Sequence, residues 1–439
     1  MPIYLKLSIA TTPDFLVIRY GPTIGRWVSI IFLVSYVVNL LPSVLYGGAV
    51  AFDGLFHISD TFHISYPATI WILVWVMGTA GCLYAVIGGL KVITVSDSLL
   101  GLGFFAGGIM LPVFALKYVG HGSIADGLHQ VLSMHTNHFN SIGSPSDPIP
   151  FSTLFTGMLL VNLYYWGTEQ YIIQQVLSSK DLKNSQKGIT LACFGKLISP
   201  LLLNIPGVIA VHIFSKLKNP AEVFPRLNSL VAPPALAGYI AAIVFGTALS
   251  TFNAGLNSSS TLFILNIYKP AMEKRGNMPS ERSLLRNAKL FEIAVCLAAM
   301  FIAPFILFVK NGFYSYVQMV NGFFNVPIFT ILIIGVLTKR VPEIAAKIGL
   351  IFFIAIYAIT QLVIGVHLHF LHILAILFVV TSVLMLVIGR LYPSAIPFQL
   401  KQVQNIEAKP WKGRHAFSII LIMMMVAMFL LFSRIGLAK

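Results

Sequence analysis

Four positions in VNLYYWGTEQYIIQQVLSSK, residues 161–180, could hold a small molecule: Asn162, Tyr165, Trp166 and Glu169. They recur at i, i+3, i+4 and i+7, which places them on one face of a helix. An amide offers two donors and an acceptor, and Tyr and Trp present flat apolar faces with a polar edge. Amides beside an aromatic plane suit a ligand with many hydroxyls on an apolar ring, which describes a sugar. The same stripe suits a helix–helix contact glued by an asparagine and filled by aromatics. Both readings stand at this point.

Further groups occur in apolar surroundings. Lys196 lies in LACFGKLISPLLLNIPG, too far from either end of its run to reach an interface. It must face a partner or a wet cavity, and an ion pair with Glu169 is the structural alternative to a solute contact. Asp97, in VITVSDSLLG, begins another apolar run. Such groups cost on the order of 3 kcal/mol at mid-membrane even on lenient scales. In GTALSTFNAGLNSSSTLFILNIYKP, residues 246–270, Ser250 and Thr251 are adjacent hydroxyls among small residues. Hard cations take such oxygens, and tight helix packing uses the same small residues. Gln318 stands between aromatics in GFYSYVQMVNGFFNVPIFTILIIGVLTKR, residues 312–340.

The elements that carry these groups follow from composition. The 439 residues are 57% hydrophobic and 10% charged, with a mean hydropathy of +0.86. A soluble domain carries about 25% charged residues, and about 20 apolar residues span a bilayer. The chain therefore reads as an all-α polytopic membrane protein. Eleven spans are expected, at about 24–56, 65–88, 93–118, 151–178, 188–215, 234–267, 284–310, 312–338, 343–366, 368–391 and 412–434. Pro42, Pro112, Pro200, Pro206, Pro304 and Pro327 fall inside spans and are expected to kink or break them.

The net charge of +15 follows from the same architecture and does not call for nucleic acid. With residues 1–23 placed in the cytoplasm, 21 Lys and Arg fall on the inner side, seven outside, and Lys196 inside a span. That asymmetry puts the N-terminus inside and the C-terminus outside. The outer loop 119–150 holds His121, His129, His135 and His138, but its irregular flanks suit a solvated loop better than a metal site. Residues 392–411 read as a linker. Cys82, Cys193 and Cys296 all lie in apolar runs, where neither a disulfide framework nor a metal site is expected. No cleavable signal peptide is recognisable at the start.

Taken together, YAVIGGLKVITVSDSLLG, the 161–179 segment, KLISPLLLNIPG, STFNAGLNSSSTLFILNIYKP and the stretch around YVQMVNG resemble the sodium:solute symporter family, in particular its bacterial sodium/galactose branch. The resemblance implies a LeuT-like inverted-repeat fold with its site between repeats at the midplane. It implies that Asn162, Lys196 and Gln318 contact a sugar, that Tyr165 stacks on the ring and closes the inner exit, and that Tyr314 is an outer lid. Ser250 and Thr251 match sodium-ligating hydroxyls, Thr247 matches a carbonyl ligand one turn earlier, and Asp97 matches an acidic group on the sodium exit route. No role carries over to Glu169. Gln175 departs from the pattern, since a basic residue often stands there. The match begins at the family's inner loop after the second core helix, leaving the peripheral leading helix and first two core helices unmatched. The expected organisation is a cytoplasmic segment 1–23, the remainder of the first repeat 24–118, the outer loop 119–150, a second repeat 151–338 and peripheral helices 339–439.

The implied activity is not enzymatic: sodium-coupled import of a galactose- or glucose-like sugar across the plasma membrane by alternating access. Symport of a sialic acid, polyol or carboxylate is the alternative within the class. A transport-inactive remnant or sensor is the alternative outside it, because a site with part of its oxygens unmatched is not expected to drive uptake by residues 1–439 alone.

Overall fold

Backbone amides and carbonyls in an apolar phase must pair within their own segment, so uncharged apolar runs fold as helices. The structure, a computed structural model, shows this along the chain. It describes all residues except 1, 8, 146, 148, 215–222, 310, 311, 367, 400–408 and 439, and side chains except those at 6, 89–91 and 93. Lys216, Lys218, Lys310, Lys401 and Lys439, which entered the charge asymmetry, lie outside the described residues. So do residues 400–408 of the 392–411 linker, and the side chains of Lys6 and Lys91 are also outside.

In chain order the helices are α1 (Pro2–Leu7), α2 (Thr12–Tyr20), α3 (Pro22–Ser35), α4 (Leu41–Phe56), α5 (Ile58–Thr61), α6 (Tyr66–Val119), α7 (Ile124–Ser133), α8 (Gly157–Gly167), α9 (Gln170–Leu177), α10 (Leu182–Ile213) and α11 (Val223–Val231). There follow α12 (Pro234–Phe263), α13 (Lys269–Lys274), α14 (Glu281–Ile302), α15 (Phe313–Gly322), α16 (Asn325–Leu337), α17 (Glu343–Ala358), α18 (Phe370–Leu391) and α19 (Arg414–Leu431). No strand occurs among the described residues.

Ten of the eleven expected spans are helical segments long and apolar enough to cross a membrane. The exception is 151–178, which is interrupted between α8 and α9. The spans expected at 65–88 and 93–118 both lie in α6. That helix is not straight, because the Tyr84 hydroxyl donates to Ser96 Oγ at 2.7 Å. Twelve residues of straight helix would hold them about 18 Å apart along the axis.

The prolines act unevenly. Pro112, Pro200 and Pro206 sit inside continuous helices. Pro42 follows a π-turn at Tyr36–Leu40 that joins α3 to α4. Pro304 lies in a 3-10 segment, Ala303–Phe308, and Pro327 opens α16.

The chain divides into two compact units, each assembled from three stretches. Unit 1 comprises Met1–Ser43, Pro145–Ser185 and Ala254–Lys409; unit 2 comprises Val44–Ser144, Gln186–Asn253 and Pro410–Lys439.

In unit 1 the N-terminal stretch is tied down by specific groups. Thr11 caps α2, accepting from the Asp14 amide while Asp14 accepts from the Thr11 amide. Gly21, at φ 109°, makes the left-handed turn into α3. Arg19 Nε donates to the Gly335 carbonyl at 3.0 Å and Nη2 to the Thr338 carbonyl at 3.1 Å, so a cation closes the C-terminus of α16. Burial lowers the pKa of that guanidinium and raises that of the neighbouring Tyr20 phenol. Gly157 opens α8 against α18, where a Cβ would stand 2.0 Å from the Leu371 carbonyl oxygen.

In unit 2, Ala115, Val131, Phe139, Ile209, Ala210 and Leu227 form a buried cluster. Val131 on α7 and Phe139 belong to the 119–150 segment, which is therefore not simply a solvated loop: α7 packs one apolar face inward. His135 packs edge-on to His212 and His138, and no cluster able to hold a metal ion occurs among the described residues.

Candidate functional site

The interruption between α8 and α9 is where the stripe read from the sequence fails. Gly167 ends α8, and Thr168 and Glu169 leave helical geometry, Glu169 at φ −59° and ψ 122°. Glu169 therefore does not continue the face of Asn162, Tyr165 and Trp166. It caps α9 instead, its Oε1 accepting from the Gln170 amide at 3.1 Å. The carboxylate is buried and also accepts from the Tyr36 hydroxyl, while Tyr164 lies in hydrogen-bonding reach. These partners are all uncharged.

The other residues of this set lie in unit 1 and group in part. Tyr165 accepts a hydrogen bond from the Tyr171 hydroxyl at 3.0 Å. Gln318 Nε2 donates to the Tyr314 hydroxyl at 2.9 Å, one turn away on α15. Asn162 is exposed, and its Nδ2 donates to the Met158 carbonyl of its own helix at 2.9 Å.

Asn39 and Tyr36 join this region, and the sequence reading passed over both. Asn39, fully buried in the π-turn, donates to Asn321 Oδ1 at 2.8 Å and to the Val317 carbonyl at 3.4 Å, on the same helix as Gln318. A lone amide in VSYVVNLLPS was the signal available. Tyr36, one turn before it, had no comparable signal. Gln174 on α9 donates to Asn257 and Thr261 at 3.0 and 3.1 Å and accepts from Ser258 at 2.8 Å.

In unit 2, α12 and α6 bring the expected cation ligands together. The Ser250 hydroxyl donates to Asp97 Oδ1, 153 residues away. Thr251 Oγ1 donates to the Thr247 carbonyl at 3.0 Å, and Thr247 Oγ1 to the Ile243 carbonyl at 2.8 Å. The result is a patch of hydroxyl, carbonyl and carboxylate oxygens, the donor set that a hard cation takes. Two residues on, Asn253 is fully buried with neither side-chain polar atom hydrogen-bonded among the described residues. Lys196, halfway along α10, is exposed in the wall of a cavity of about 320 Å³. Asn204, His138, Met428 and Phe432 are among its neighbours there. Among the expected solute contacts Lys196 alone belongs to unit 2, as do Asp97, Thr247, Ser250 and Thr251.

Residues 1–353 match the sodium:solute symporter family. The chain is 40% identical over 429 residues to the uncharacterized symporter YidK of Escherichia coli (strain K12), covering 98% of this chain and 75% of that protein. The chain belongs to the sodium:solute symporter family. A sodium/glucose cotransporter of Vibrio parahaemolyticus is 26% identical over 377 residues, covering 80% of this chain and 66% of the relative. A substrate-bound, outward-open structure of a Na+-coupled sialic acid symporter superimposes with a TM-score of 0.72 at 18% identity, covering 92% of this chain and 80% of that one. The fold is therefore the all-α inverted-repeat fold of sodium symporters. Symporters of this family are transporters and not enzymes, and sodium is the ion they carry with a solute. The chain spans three quarters of the length of YidK and about two thirds of the glucose cotransporter.

Proposed function

We propose that the protein imports a neutral, hydroxyl-rich solute of the galactose or glucose type, coupled to sodium, across the plasma membrane. The observation that carries this reading is the chemistry of the unit 1 set. Asn162, Tyr165, Tyr314 and Gln318 supply amides and phenols and no charge, which suits hydroxyls and a ring face. Ser250, Thr251 and the Thr247 carbonyl are the proposed sodium ligands, and Asp97 lies on the ion's inward route. The N-terminus is cytoplasmic and the C-terminus extracellular in this reading, which takes 24–118 and 151–338 as parts of the two repeats. Sodium entry releases about 2.3 kcal/mol per 100 mV of membrane potential. Sodium favours the solute-competent state, so the two ligands share one coupling free energy.

A carboxylated solute such as a sialic acid is the second reading. Lys196, exposed in a cavity wall, is what favours it, together with the fold likeness to a sialic acid symporter. The test is uptake by the full-length protein of labelled galactose, glucose and N-acetylneuraminate under an inward sodium gradient. Sodium-dependent accumulation of a neutral hexose supports the first reading. Accumulation of the acid alone overturns it, and Lys196→Met should then abolish that uptake. Thr251→Ala should raise the sodium concentration for half-maximal uptake about tenfold, since one hard oxygen is lost. Gln318→Ala should weaken hexose binding roughly five- to 150-fold.

A further inference from the structure

The break between α8 and α9 contains no proline, yet the chain leaves helical geometry there inside an apolar segment. Opening a helix frees amides and carbonyls that the surroundings must satisfy. In an unbroken helix the amides of Gln170 and Tyr171 would reach the carbonyls four residues earlier. Here the Gln170 amide goes to Glu169 Oε1, and the Tyr171 amide goes to the Tyr36 hydroxyl at 3.3 Å. Tyr36 in turn donates to Glu169. Tyr36 and Glu169 thus form one device that takes both displaced amides. On the carbonyl side, Thr168 O accepts from Thr12 Oγ1 at 2.8 Å and Gly167 O from the Tyr4 hydroxyl at 3.4 Å.

The same device extends toward Tyr165. The Tyr36 ring packs edge-on against Tyr171 at 6.3 Å, and Tyr171 packs edge-on against Tyr165 at 6.0 Å while donating to its hydroxyl. Tyr36 is also braced by Phe32, 6.2 Å away, and sits in the π-turn of the α3–α4 span, an irregularity frequent at functional sites. The route runs Glu169, Tyr36, Tyr171, Tyr165, entirely within unit 1.

We propose that Glu169 is a positioning residue of transport: with Tyr36 it holds the α8–α9 break open, and through Tyr171 it sets where the Tyr165 ring stands. This rests on the reading of Tyr165 as a solute-facing residue. It gives Glu169, to which the family pattern assigns nothing, a task that depends on its acceptor oxygens. Glutamine keeps one such oxygen and the length of the side chain, whereas alanine keeps neither.

The experiment compares Glu169→Ala, Glu169→Gln and Tyr36→Phe in the full-length protein, by hydrogen exchange of the amides at 168–172 and by sodium-driven hexose uptake. Tyr36→Phe removes a single oxygen and keeps the ring, so it reports even where Glu169→Ala does not fold. The expected result is about tenfold faster exchange at Gln170 and Tyr171 in Glu169→Ala and Tyr36→Phe. A maximal uptake rate reduced about tenfold should accompany it, with sodium activation unchanged and substantial rescue in Glu169→Gln. Faster exchange with normal uptake overturns the proposal, leaving a structural clamp only. Lost uptake with unchanged exchange also overturns it, because Glu169 would then act elsewhere. Exchange is read without solute. A protein that takes up no hexose therefore sinks the solute reading separately from the clamp.

Discussion

Two membrane segments meet the problem of helix breaking in opposite ways. α10 contains Pro200 and Pro206 and runs without interruption from Leu182 to Ile213. The segment 157–177 contains no proline and is broken in two. A proline removes one donor and strains one turn. That favours a kink, but it supplies nothing to replace the bonds that a true break would lose. The α8–α9 segment has replacements in place: Glu169 and Tyr36 for two amides, Thr12 and Tyr4 for two carbonyls. The lesson is that a break in an apolar phase is located by its partners more than by its own residues.

That comparison can be attacked from the largest expected effect to the smallest. Thr12 donates its hydroxyl to Thr168 O, and its amide donates to Gln170 Oε1 at 2.8 Å, both buried. The double variant Thr12→Val, Gln170→Leu should lower stability by about 3 kcal/mol, because a buried carbonyl and a buried amide are left unpaired. Thermal unfolding in detergent reads it, and an unchanged midpoint would mean that α2 does not support the break. Thr12→Val alone should cost about 1–2 kcal/mol and speed amide exchange near Thr168. Gln174→Leu comes next, at about 1 kcal/mol. Its three hydrogen bonds to α12 are only partly buried, and water can replace the lost bonds. Pro206→Ala should change stability least, by under about 1 kcal/mol, since α10 has no clamp to lose. A loss well above that would show that proline shapes α10 more strongly than its unbroken course implies.

The spans themselves were legible in the sequence, because a run of about 20 apolar residues has few other ways to bury its backbone. The ends of Pro22–Phe56 and Phe370–Leu391 fall within two residues of where hydropathy put them. The oxygens of Ser250 and Thr251 were legible too, as adjacent hydroxyls in an otherwise small-residue helix. Glu169 shows the opposite. A period of 3.6 assigned it to the face of Asn162 and Tyr165, because a helix was the default for the whole segment. Only the folded chain decided otherwise. The groups that stabilise the break lie 133 residues away at Tyr36 and 156 away at Thr12, and no local pattern reports partners at that separation. Asp97 beside Ser250 is a second case, joined across 153 residues. The sequence thus determined by itself what each segment is made of and, for ten of the eleven expected spans, that it is a helix long and apolar enough to cross a membrane, since both follow from the transfer of apolar side chains out of water. Which polar group meets which, and so where a helix opens, was decided by tertiary structure, because a hydrogen bond requires two groups within about 3 Å, and only the fold sets that distance.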